Sequence, residues 1–251
     1  MIHSVLLIGQ SNMAGRGRIA DAPSYDTSRM LVLRNGRWMN CFRPVNPDRP
    51  FSGYNLAETF ADDYLKDHEG VKLGLIPCAD GGTTLDQWKE GSLLFDNAIY
   101  QARLAMRTSH LVAILWHQGE SDSNERVAPV YRQRLEEMIA AFRREPGFDG
   151  IPFLVGGLSP DLADWRDGQL VPWQYAPMVT RQLREAAEAG TNLGFVPADG
   201  LTNDHLHFDT AGLIGFGHRY YEVFRTMEDR NRVFGEKPEA DAAIRSAMEL
   251  L

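Results

Sequence analysis

"VLLIGQSNMAGRG", residues 5–17, closes a short apolar run on a glycine and passes at once into a serine flanked by an amide and an asparagine. An apolar run of this length, bounded by turn residues, reads as a strand buried on both faces. Ser, Asn and Gly are also ordinary turn formers. Ser11 therefore has two readings, a turn hydroxyl or a nucleophile held where a sheet opens to solvent. The residues at the ends of the other apolar runs decide between them.

Four such runs recur: "VKLGLIP" (71–77), "LVAILWH" (111–117), "IPFLVGG" (151–157) and "NLGFVPA" (192–198). Between them lie helical patterns over 56–66, 94–107, 127–144, 175–189 and 211–230. This alternation predicts parallel strands joined by right-handed crossovers, a three-layer α/β/α sandwich around a central, mostly parallel five-stranded sheet. The spacing is regular enough for one domain over residues 1–235. The stretch from Arg16 to Gly53 carries Pro23, Pro44, Pro47 and Pro50 and reads as a long surface excursion near one edge of the site. The tail "EKPEADAAIRSAMELL" (236–251) has Ile244, Met248 and Leu251 at helical spacing, and is expected to dock on the body or on a second copy of the chain.

Composition narrows the partners. With 26 Lys and Arg against 34 Asp and Glu, a net charge of −8 and no dense basic run, a nucleic-acid or anionic-membrane surface is not expected. No apolar run approaches the roughly 18 residues of a membrane-spanning helix. The N-terminus shows no basic segment before its apolar run and no small-residue cleavage site, so a cytoplasmic location is expected. Cys41 and Cys78 are the two cysteines, and their contexts suggest unpaired thiols rather than a disulfide.

In open parallel sheets, ligands bind beyond the carboxyl ends of the strands. There the chain places "GQSNMAG", "CADGGTTLDQW", "HQGESDS", "GGLSPD" and "DGLTNDHLHFD". Catalysis by a serine needs a base, a group that orients the base, and donors aimed at the developing oxyanion. Ser11 supplies the hydroxyl. Asp204 and His207, spaced D-x-x-H, put a carboxylate and an imidazole in one loop, while Gly81 and Gly82 offer unobstructed N–H groups and Gln118 an amide. Asp204 also has the reading of a helix cap, with Glu120 or Asp122 then orienting the imidazole. His205, His207 and Asp209 stand at alternate positions but are too few for a zinc site. Trp88 is either a core residue or a surface for a sugar ring, and Arg16 either faces solvent or touches substrate.

The ordered blocks "GQSNMAGRG", "PCADGGTTLDQW", "WHQGESD" and "DHLHFDTAGLIGFG" resemble those of the SGNH (GDSL-like) hydrolases, and within them the carbohydrate acetylesterases of the sialate O-acetylesterase and acetylxylan esterase type. The resemblance runs from Gly9 to about Gly217. It implies a flavodoxin-like sandwich and a serine esterase that removes O-acetyl groups from a carbohydrate, an acetylated xylo-oligosaccharide or sialic acid, through an acetyl-serine intermediate. It implies Ser11 as nucleophile, His207 as base and Asp204 as its partner. It also implies an oxyanion hole of Ser11 N–H, Gly81 N–H and Gln118, with Gly81 placed two residues before Thr83. Gln10, Asn12, Arg16, Gly82 and Glu120 are left as substrate contacts or loop supports. The chain departs from the wider superfamily at Gln10, where Asp is usual, and in "HQGES", where Asn is usual. No metal or organic cofactor is implied. Two alternatives stand beside this reading: an acetyltransferase that passes the acetyl group to another hydroxyl, and a catalytically silent glycan-binding protein.

Overall fold

The computed structural model describes residues 1–227. The tail predicted to dock lies outside the described residues, as do the last three positions of the 211–230 pattern. Strands β1 (Ile2–Gly9), β4 (Lys72–Pro77), β5 (His110–His117), β6 (Phe153–Gly156) and β9 (Leu193–Val196) are the five expected from sequence, and they run parallel. Among the described residues, the sheet has seven strands rather than five. Within the proline-rich excursion, β2 (Met30–Arg34) pairs parallel with β4, and β3 (Arg37–Asn40) pairs antiparallel with β2. Asn35 and Gly36 turn that hairpin with positive φ, a two-residue signal of the kind that closes hairpins. A separate hairpin, β7 (Ala163–Arg166) with β8 (Gln169–Pro172), stands apart from the sheet.

The full order is β3-β2-β4-β1-β5-β6-β9. The chain winds outward from β1 to β4 on one side and to β5 on the other, so the crevice of a doubly wound sheet falls at the carboxyl end of β1. Strand β1 shows why three layers form. Leu6 and Ile8 pack with α3 (Leu93–Ala105), α4 (Tyr131–Arg144) and α5 (Ala176–Ala189) on one face. Val5 and Leu7 pack with α2 (Leu56–Asp67) and α6 (Thr210–Met227) on the other. Because alternate residues of a strand face opposite sides, an unbroken apolar run satisfies both layers. Helix α4 starts at Tyr131, later than its pattern suggests, after a turn of 3-10 helix that carries Pro129. Proline lacks the N–H that a helix interior needs and is tolerated at a helix start. Among the described residues, no helix is long and apolar enough to cross a membrane.

Both cysteines are free and buried, and burial pushes each thiol up to about 12. Neither supplies a thiolate near neutral pH.

Candidate active site

Gly9 ends β1 with φ +130°, and a Cβ there would lie 2.1 Å from the carbonyl oxygen of His117. Only glycine permits that approach. The backbone then turns directly into the short helix α1 (Ser11–Ala14): Gln10 N–H donates to His117 O at 2.9 Å, and the Gln10 carbonyl accepts from Met13 and Ala14. Ser11 is thereby fixed at the first position of α1, at the carboxyl edge of the sheet, 6% exposed. As a first-turn residue its backbone N–H has no helical acceptor, and none is supplied from elsewhere among the described residues.

Ser11 Oγ lies 3.0 Å from His207 Nε2, across 196 residues of sequence. The loop that carries the histidine is closed on itself by a bridge between Asn203 and Phe208. Asn12 then clamps it on both sides of His207. Its Nδ2 donates to the carbonyl of Leu206 (3.1 Å), and its Oδ1 accepts from Phe208 N–H (3.0 Å). Asn12 Nδ2 also donates to Glu120 Oε1 at 2.6 Å, and Glu120 is 3% exposed beside His117 Nε2 at 3.3 Å. Burial alone drives the Glu120 carboxyl upward, but the His117 charge and the hydrogen bonds from His117, Asn12 and the backbone hold it below its ordinary value. Glu120 is thus a loop support that acts through Asn12.

Asp204 occupies the same loop, but its Oδ1 accepts from the backbone N–H groups of Leu206 (3.0 Å) and His207 (2.7 Å). No hydrogen bond joins its carboxylate to the imidazole ring. Asp122 does not reach the imidazole either. It accepts from Leu85 N–H and Gln118 Nε2. The sequence suggests that a partner carboxylate raises the proton affinity of His207. In the structure burial lowers it, Arg16 adds to the lowering, and the opposing charges of Asp204 and Glu120 do not restore the ordinary value of 6.5.

The expected oxyanion donors divide. Gln118 is fully buried, and its Nε2 donates to Thr83 O (3.0 Å) and Asp122 Oδ2 (2.6 Å). Its Oε1 accepts from the Tyr131 hydroxyl at 3.0 Å. An amide has two N–H donors, and both are engaged, so this side chain holds the β5 and β4 turns together rather than facing a substrate oxygen. Gly81 stands beside the serine: a Cβ there would meet Arg16 Nη2 at 2.5 Å, Asp48 Oδ2 at 2.9 Å and Ser11 Cβ at 3.5 Å. Its N–H donates to Asp48 Oδ2 at 2.9 Å. Gly82 has φ +78° and open space around it, and Gln10 Oε1 accepts from Ser121 N–H at 3.3 Å.

Of the readings that the sequence leaves for Arg16, a solvent-facing side chain is excluded, and its contacts are those of a loop support. Its guanidinium forms a two-pronged pair with Asp48 (3.0 and 2.7 Å), the side chains only 6% and 3% exposed. Burial opposes the Asp48 charge, but Arg16, Ser52 and the Gly81 N–H hold its carboxyl below the ordinary value. Asp48 was not singled out from sequence, nor was Asn46, whose amide bonds both the N–H and the carbonyl of Ala79. The signal was the polar "NPD" inside the excursion, which composition alone does not separate from a solvated loop.

Trp88 is a core residue, fully buried, edge-on to Trp116 and donating to Thr83 Oγ1 at 3.0 Å. His205 Nδ1 lies 3.2 Å from the Asp161 carbonyl, and Asp209 accepts from Gly212 N–H at the start of α6. Among the described residues, no three His, Cys, Asp or Glu side chains gather as a metal site.

A family model described as "carbohydrate esterase, sialic acid-specific acetylesterase" matches residues 2–226. The probable carbohydrate esterase At4g34215 of Arabidopsis thaliana is 27% identical over 171 residues, which is 59% of this chain and 66% of that relative's length. The solved structure of the Arabidopsis protein superposes with a TM-score of 0.76 at 24% identity, covering 90% of this chain and 98% of that one. NanS gives a TM-score of 0.67 at 16% identity, with 90% and 97% covered. XAC1771, a carbohydrate acetylesterase from Xanthomonas citri, gives 0.63 at 20% identity, with 90% and 56% covered. At these identities the structures establish a shared sandwich.

Proposed function

The chain belongs to the carbohydrate esterase family of sialic acid-specific acetylesterases, a family of carboxylic ester hydrolases, and from that premise we propose that it removes O-acetyl groups from a carbohydrate through an acetyl-Ser11 intermediate. The observation that carries this reading is the 3.0 Å contact between Ser11 Oγ and His207 Nε2 at the carboxyl end of β1. His207, neutral because burial depresses its proton affinity, takes the Ser11 proton as Oγ attacks the ester carbonyl carbon. Collapse of the tetrahedral intermediate breaks the bond to the sugar oxygen, which takes the proton back from His207. A water molecule, deprotonated by the same imidazole, then attacks the acetyl carbon and releases acetate, restoring the Ser11 hydroxyl.

The oxyanion is met first by the Ser11 N–H, which has no competing acceptor among the described residues. The Gly81 N–H is a second donor shared with Asp48. Asp204 supports the imidazolium by charge, and by fixing the backbone at His207. The acetylated sugar is a xylo-oligosaccharide or a sialic acid. The test is to mix the enzyme with a slowly turned-over acetyl ester, quench, and look for an added acetyl group by peptide mass spectrometry. The group should sit on Ser11, and Ser11→Ala should lose roughly three decades of turnover with an unchanged melt. Acetyl on another residue, or a variant keeping a tenth of the activity, overturns the assignment.

A further inference from the structure

A cleft of about 470 Å³ lies between the turn after β5 and the β7–β8 hairpin. One wall of it is hydrogen-bonded to the serine turn. Glu120 and Ser121 line it, and they bond respectively to Asn12 and Gln10, the residues on either side of Ser11. The histidine loop reaches its hairpin wall, since Ala163 N–H donates to the His205 carbonyl at 3.0 Å. A larger cavity of about 590 Å³ beside α4 is lined by none of the residues that frame Ser11. Of these two cavities, the smaller cleft is the one tied to the serine turn.

Its walls carry an asymmetric charge. Glu120, Glu125 and Asp164 face a single lining cation, Arg166, which is itself paired with Asp164 at 3.3 Å. Arg126, next to Glu125 in sequence, does not line the cleft. The arginines beside Gly81 are also paired, Arg16 with Asp48 and Arg49 with Asp80. Trp173 supplies an aromatic wall, its indole nitrogen buried away from the cleft. An aromatic wall suits the face of a sugar ring. A net negative lining whose one cation, Arg166, is matched by Asp164 does not suit a carboxylate.

We propose that this cleft receives the sugar that bears the acetyl group, and that its charge selects uncharged acetylated sugars over acetylated sialic acid. The inference rests on Ser11-centred ester hydrolysis, and the experiment separates the two. Acetate release is measured from p-nitrophenyl acetate, an acetylated xylo-oligosaccharide, 9-O-acetyl-N-acetylneuraminic acid and the methyl ester of that acid, whose carboxylate is masked. The methyl ester should exceed the free acid in kcat/KM by about fivefold to tenfold at low salt, a gap that narrows as ionic strength rises. Asp164→Asn, which leaves Arg166 unmatched, and Glu125→Gln should each shrink that ratio by about twofold or more. Glu137→Gln, the same loss of charge beside the other cavity, should leave it unchanged. Equal rates on free acid and methyl ester, or a ratio that moves equally in all three variants, overturn the selection while leaving the esterase reading intact. No hydrolysis of any ester, p-nitrophenyl acetate included, overturns that reading and this inference with it.

Discussion

Asn12 grips the backbone on both sides of His207, donating to the Leu206 carbonyl and accepting from the Phe208 N–H. Two residues adjacent in sequence thus divide the work on the serine turn, one presenting a hydroxyl and the next setting the imidazole against it. Asn12→Ala should lower kcat by about 10- to 100-fold, since small misplacement of a reacting group has a large effect on rate. The buried groups left unpaired should lower stability by about 1–3 kcal/mol. Steady-state kinetics and urea melts on Asn12→Ala and Glu120→Gln check this. Full kcat in Asn12→Ala would show that the loop holds His207 without the clamp.

The pH dependence is set by the surroundings of His207. Burial first, then Arg16, lowers its proton affinity, so the neutral imidazole persists into mildly acid solution. The acid limb of kcat/KM should have its midpoint below pH 6.5. Asp204→Asn removes a charge that favours the protonated ring, so the midpoint should move lower still. Because no hydrogen bond ties Asp204 to the ring, the accompanying loss of kcat should be about tenfold, well short of the ~10⁴-fold that attends loss of a ring-bonded carboxylate. A midpoint at or above 6.5, or one that rises in Asp204→Asn, contradicts this account.

Gln118→Ala should act on stability more than on chemistry. It strips partners from the Asp122 carboxylate, the Thr83 carbonyl and the Tyr131 hydroxyl, and each buried group left unsatisfied costs about 1–3 kcal/mol. The variant should melt early, with kcat per folded molecule within about tenfold of wild type. A loss of about 10²- to 10³-fold with an unchanged melt would instead identify an oxyanion donor.

Asp48→Asn tests the pair behind the serine. Arg16 would be left charged with its side chain 6% exposed, and breaking a buried pair from one side costs about 3–5 kcal/mol. The unmatched Arg16 charge should also push the acid limb of the rate profile to lower pH. Melting together with pH-rate profiles decides, and an unaltered melt would mean that the excursion is held by other contacts.

The sandwich was legible because burial on two faces leaves an unmistakable trace, the short uninterrupted apolar runs that became β1, β4, β5, β6 and β9. The outer strands β3 and β2, on one side of the sheet, were hidden by the prolines around them. "MLVLR" (30–34) does carry an apolar run, but its pairing with β4 is a long-range event that no local pattern announces. Ser11 and His207 were legible as residue types in ordered blocks at strand ends. Sequence could not show that Gln118 is engaged on every side, because hydrogen-bond saturation depends on where Thr83, Asp122 and Tyr131 arrive in space. Nor could it show that Asp204 turns its carboxylate to the backbone, or that Asp48, 32 residues along the chain from Arg16, neutralises it beside Gly81. Periodicity and strand-end chemistry are properties of neighbours along the chain, and they determined the architecture and singled out Ser11 and His207, which the fold brings to 3.0 Å. Which donors are free and which charges are matched are properties of neighbours through space, and tertiary packing alone decided them.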